Sequence, residues 1–187
     1  MVALYWNEHG GEPANESEKR VVQKLLNRLP DSALVIPSLD LRYENTVDEI
    51  DVLVVTEDAV IVVEVKNYTG RVLFGEQRHL VNGEPRTDPV RLTNAKARRL
   101  KSKLSGDPSL RRIWVSSQTI LASRPNQLEI ERSLQNAIVH VDEAADRLTD
   151  RSAIFRLPNW DVIPVDKEAV KASLKLHARK RSPGRVY

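Results

Sequence analysis

Two apolar, mostly β-branched runs, Val52–Val55 and Val60–Val63, lie only four residues apart, and they constrain this chain more than any other feature. Such residues favour extended backbone and pack well on a pleated surface. A strand that is apolar without alternation belongs to the middle of a sheet covered on both faces. The pattern predicts strands over Glu49–Thr56 and Ala59–Lys66, joined by the two-residue loop Glu57-Asp58. That loop sets the register: Asp51 comes directly across from Glu64, and Lys66 shares the face of Glu64 two residues further on.

The surroundings of this pair read as mixed α/β. Val21, Val22, Leu25, Leu26 and Leu29 recur at helical spacing, predicting a helix from Glu16 to about Leu29 that Asn15 caps and Pro30 ends. A strand is expected over Ala33–Leu41. A hairpin is expected from Arg71–Phe74 and His79–Val81, with Asn82-Gly83 as a turn signal. Asp88-Pro89 opens a second helix to about Leu104, and a strand follows over Ile113–Leu121. Beyond a looser segment come a short strand at Ala137–Val141, a short helix capped by Asp142, a strand at Val162–Val165 and a helix from Asp166 to about Arg179.

Composition excludes several classes of function. The 187 residues suit one domain with a tail, and 41% hydrophobic with 29% charged residues is the balance of a soluble globular chain. There is no cysteine, so disulfide frameworks, thiolate metal sites and cysteine nucleophiles are out. No stretch approaches the length of a membrane span, and the N-terminus lacks a basic start followed by an apolar run. A cytoplasmic protein with no membrane partner is expected. Phosphate-loop, dinucleotide and G-x-S-x-G signatures are absent. His9, His79, His140 and His177 stand isolated and read as packing or surface residues; Trp6, Trp114 and Trp160 read as core or tail anchors.

The chemistry is concentrated at the end of the strand pair. Two carboxylates facing each other repel, and more so when desolvated, so the arrangement calls for a cation. Mg²⁺ or Mn²⁺ held by Asp51 and Glu64 would supply it, since such ions take hard oxygen ligands and complete their shell with water and phosphate oxygens. Lys66 would position the attacking water or neutralise the scissile phosphate. The plain alternative is a same-face Glu64–Lys66 ion pair with no chemistry. Glu18 also has two readings: a member of the metal site, or the third residue of a capping box with Asn15.

Taken together, S-E-x-x-V-x-x-L-L from Ser17, E-I-D-V-L-V-V-T from Glu49, V-I-V-V-E-V-K-N-Y-x-G from Val60 and D-P-x-R-L-x-N-A-K from Asp88 resemble the nuclease-related domain (NERD) family. That family is similar to the PD-(D/E)XK nucleases. The resemblance implies a restriction-endonuclease-like fold, a mixed central sheet flanked by helices. It divides the chain into a polar lead-in (1–15), a nuclease-like domain (16–150) and a C-terminal extension with a basic linker (151–187). By position it makes Glu18, Asp51, Glu64 and Lys66 the catalytic set, which favours the active-site reading of Glu18. One departure stands out: Leu92 occupies the place of a family glutamine. Relatives are commonly fused to helicase, kinase or zinc-finger modules, so a kinase or helicase beyond Tyr187 is expected, in a DNA-processing or anti-phage defence protein.

Charge placement points to DNA. Between Arg91 and Arg112 eight basic residues face the single acid Asp107, and Arg91, Lys96, Arg98, Arg99, Lys101 and Lys103 on the second helix are the expected phosphate contacts. The basic tail from Lys175 to Arg185 adds to them. Aromatic residues are too few for a single-strand stacking platform. A homodimer is a further expectation. The rival reading is a binding or regulatory module of the same fold with little or no cleavage.

Overall fold

The computed structural model describes residues 3–6, 11–42, 46–154 and 163–180. Its central sheet grows outward from the expected hairpin. β2 (Leu34–Arg42), β3 (Val47–Val55) and β4 (Ala59–Lys66) run antiparallel, and β8 (Trp114–Leu121) and β10 (Ile138–His140) extend β4 in parallel. The short strands β1 (Leu4–Tyr5) and β11 (Ala178–Lys180) share the outer edge of β2. A second, smaller sheet comprises β5 (Arg71–Phe74), β6 (His79–Val81), β7 (Glu84–Arg86) and β9 (Gln127–Ile130).

Both faces of the central sheet are covered, as the unalternating strands require. Helix α1 (Glu16–Arg28) lays Val21, Val22 and Leu25 against Val52, Val54, Ile61 and Val63. Helix α2 (Pro89–Leu104) lays Ala97, Leu100 and Leu104 against Leu53, Val55, Val60 and Val62 on the opposite face. Val170 and Leu174 of α5 (Lys167–His177) join that second layer. This is the mixed sheet flanked by helices that the resemblance implied.

Pairing of β3 with β4 runs from Val55↔Val60 to Val52↔Val63, the register given by the Glu57-Asp58 loop, and stops there. β4 continues alone with β8 as far as Lys66↔Leu121, so a notch opens where Asp51 and Glu64 stand. The opposite side of β3 changes at the same level. Ser38 has a left-handed φ of 52°, and Leu34 and Ile36 before it face the same layer as Leu39 and Leu41 after it. On β3, Ile50 and Leu53 likewise share that layer. The β2–β3 register is unchanged throughout, so the strands switch faces by a local twist, with no inserted residue. Asp51 sits at the switch.

Several outer elements differ from expectation. Asn82-Gly83, both at positive φ, turns β6 into β7, a strand not foreseen, as were β1 and β9. Glu143, not Asp142, precedes helix α3 (Ala144–Thr149), and it gives no side-chain cap; Asp142 is instead engaged by Lys24 and His140. Residues 163–166 form no strand. α5 ends at His177, where the chain turns into β11 and so takes Arg179 out of the expected helix. His9, Trp160, Val162, Arg181 and Arg185 lie outside the described residues.

Leu53 is fully buried, whereas Leu128 of the second sheet is 42% exposed. Leu53→Ala is expected to lower unfolding free energy by about 2–5 kcal/mol, and Leu128→Ala by less than about 0.5 kcal/mol, measured by urea denaturation.

Candidate active site

The side chains at the notch arrive from three elements. β3 brings Asp51, whose Oδ2 accepts a hydrogen bond from the Val65 backbone N–H at 2.8 Å. The carboxylate thus takes over a β4 donor just past the end of the ladder. β4 brings Glu64 and Lys66, two residues apart, and Lys66 Nζ donates to Glu64 Oε1 at 2.7 Å. α2 brings Lys96, whose Nζ donates to Glu64 Oε2, also at 2.7 Å. Glu64 therefore holds one ammonium on each oxygen. The Glu64 side chain is 8% exposed, Lys96 14% and Lys66 29%, so Lys66 is the most accessible of the three.

Glu18 forms the capping box, and its charge is also felt at Asp51. Asn15 Oδ1 accepts from the Glu18 N–H at 3.0 Å, and the Glu18 carboxylate accepts from the Asn15 side-chain amide at 2.8 Å and from the Ala14 N–H at 2.9 Å. This is a capping box whose return bond reaches one residue earlier than usual. The same carboxylate is buried and close enough to Asp51 for its charge to be felt there.

The electrostatics separate the two strand acids. Burial, then the charges of Glu64 and Glu18, push the Asp51 carboxyl up to about 6, against the opposing Val65 N–H and Lys96. Burial acts the same way on Glu64, but Lys96 and Lys66 outweigh it and hold Glu64 below the usual glutamate range. Burial works against the Lys66 ammonium, yet Glu64, with Asp51 behind it, keeps its pKa above the ordinary lysine value.

Two residues sequence reasoning did not place here belong to the site. Lys96 was read as a DNA contact, yet it faces Glu64. The signal lay in the phase of α2, where Thr93, Ala97 and Leu100 are buried and Lys96 flanks that stripe. Thr119 stands in register beside Glu64 on β8, is 1% exposed, and its hydroxyl has no hydrogen-bond partner among the described residues. Tyr68, two residues beyond Lys66, meets the buried His79, its hydroxyl 3.2 Å from Nε2. His79 is thus a packed core histidine, stacked on Phe74.

The other five basic residues of α2 divide. Arg91 and Arg98 are exposed. Arg99 makes a two-point ion pair with Asp48, both contacts 2.6 Å. Lys101 donates to the carbonyls of Arg111 and Ile113. Lys103 is half-buried. Among the described residues no three His, Cys, Asp or Glu side chains form a ready-made metal cage, and no helix is long and apolar enough to cross a membrane.

A fold with both sheet faces covered and acids and lysines gathered where two central strands part defines the class. The sequence model of the nuclease-related domain family matches residues 13–122, and the chain belongs to that family. It is also similar to the probable kinase PglW of Streptomyces coelicolor, at 30% identity over 141 residues, which takes in 71% of this chain and 9% of that protein. Among solved structures, protein VC1899 of Vibrio cholerae aligns with a TM-score of 0.34 at 13% identity, over 71% of this chain and 30% of that one, too slight a likeness to argue from.

The raised Asp51 pKa has a definite consequence for stability. An acid that holds its proton more tightly when folded favours the native state below its unfolded pKa, and that contribution is lost as pH rises to about 6. Asp51→Asn stays neutral and can still accept from Val65 N–H. It is expected to melt several degrees above the wild type at neutral pH, an advantage that disappears near about pH 4. Thermal melts by circular dichroism at the two pH values check this.

Proposed function

We propose that this domain hydrolyses DNA phosphodiester bonds with Mg²⁺ or Mn²⁺ held by Asp51 and Glu64. The observation that carries the reading is the notch: two buried carboxylates from paired central strands meet where the ladder ends, beside an accessible lysine. The donor set fits a hard divalent cation. Such ions need only one or two carboxylates and fill the rest of the shell with water and phosphate oxygens, so a three-acid cage is not required. The orphaned Thr119 hydroxyl beside Glu64 fits a site that takes in further oxygen ligands. When bound, the cation would lower the pKa of a water and offset charge on the phosphate.

The chain's own residues supply the remainder. Lys66, anchored on Glu64, presents its ammonium at the open side of the notch, where it orients the attacking water or meets the developing charge. Glu18 fixes the start of α1 against the site and adds a third negative charge to it. Arg91 and Arg98, both exposed, offer phosphate contacts along α2. Lys96, Arg99 and Lys101 are held by partners within the domain and contribute to that surface less directly.

Leu92 favours a second reading. It is 44% exposed on α2 where the resemblance expects a glutamine, which suits a module that binds DNA or protein with weak or no cleavage. By analogy with the probable kinase PglW, we propose that the domain is one module of a larger, kinase-linked protein; a cytoplasmic DNA-processing or defence role rests on the family resemblance alone. The chain spans 9% of that relative's length.

Plasmid and linear DNA incubated with the protein and Mg²⁺ or Mn²⁺ are expected to be cut, and EDTA to prevent it. Glu64→Ala should abolish cutting, and Lys66→Ala should slow it by about 10²-fold or more. DNA left equally intact by wild type and Glu64→Ala across metals and salts would favour the binding module.

A further inference from the structure

Glu64 holds two ammoniums that differ in how they are tethered. Lys66 is tied to it by two residues of backbone on the same strand. Lys96 adds a second ammonium from a separate element, α2, at the same 2.7 Å. Its four-carbon stem leaves it free to aim elsewhere without moving the helix. α2 also exposes Arg91 and Arg98, the phosphate contacts proposed above.

We propose that Lys96 is the exchangeable counter-ion of the site: it holds Glu64 in the metal-free protein, yields that oxygen to a divalent cation, and passes its ammonium to the DNA phosphate that enters with the cation. The inference rests on the nuclease reading above. A largely buried ammonium is costly without an anion, so Lys96 weakens cation binding about tenfold, without blocking it, when no phosphate is there to receive it. Cation and DNA then favour each other's binding, by the same factor in each direction. Lys66 keeps its place on Glu64 throughout.

Mn²⁺ affinity by isothermal titration calorimetry tests this without reference to cleavage. Lys96→Met is expected to bind Mn²⁺ about tenfold more tightly than wild type in the absence of DNA, within the range that coupled sites span. Lys96→Arg, which keeps a cation on Glu64, should stay near wild type. A residue with only a structural role would move affinity the other way. Lys96→Gln, which keeps a neutral donor for Glu64, gives the same comparison should the methionine variant melt early. In the second arm, Ca²⁺ is expected to strengthen wild-type binding to a short DNA duplex, and to strengthen binding by Lys96→Met less.

If Glu64→Gln abolishes wild-type Mn²⁺ uptake but Lys96→Met binds Mn²⁺ no more tightly, the counter-ion role is overturned and the metal site stands. If wild type takes up no Mn²⁺ that Glu64→Gln loses, the metal reading falls and this proposal falls with it.

Discussion

A carboxylate buried in the middle of a sheet is the constraint around which this domain is arranged. Glu64 stands near the end of the apolar, buried strand β4, where an unpaired charge would be costly. It is tolerated because two lysines reach it, one from its own strand and one from α2. The second contact ties α2 to the sheet by charge beside its buried stripe. Further along the same helix, Arg99 on Asp48 and Lys101 on two loop carbonyls repeat that kind of tie. The basic character of α2 therefore serves packing as much as surface potential.

The notch depends on a second local feature. β3 can leave β4 at Val52↔Val63 only if its far side stays paired with β2, and it does so through a twist in which Ser38 adopts positive φ. Ser38 is fully buried, and its hydroxyl has no partner among the described residues. A strained, polar residue in a core strand is unfavourable for stability, and such features cluster where a fold positions a site. Here the twist re-aims Asp51 from the pleat toward the Val65 N–H. α1 completes the arrangement, because its capping residue Glu18 is also one of the charges around Asp51.

Much of this was legible in the chain. The unbroken apolar runs and the two-residue loop gave the central strands and their register, because side-chain period and loop length leave little choice. Asn15 and Asp88-Pro89 marked two helix starts correctly, since a cap acts through its immediate neighbours. Asp142 failed as a cap because tertiary contacts to Lys24 and His140 claim it. β1, β9 and β11 were missed because each is only two to four residues long and extended through pairing with a distant strand, which leaves no periodic signal. The simple pleat put Asp51 and Glu64 on one face; the Ser38 twist that alters this is a long-range effect with no signature of its own. Lys96 was grouped with DNA contacts because a basic run reads as one stripe until the helix phase assigns each residue a side.

On the proposed function, the notch between β3 and β4 is a cation site built from Asp51 and Glu64, which a crystal of the protein soaked in Mn²⁺ and measured at the manganese absorption edge would reveal. An anomalous peak coordinated by both carboxylates is expected, with Lys96 withdrawn from Glu64 and Lys66 still in place. A structure at saturating Mn²⁺ with no peak there, and with Glu64 still held between its two lysines, would contradict it.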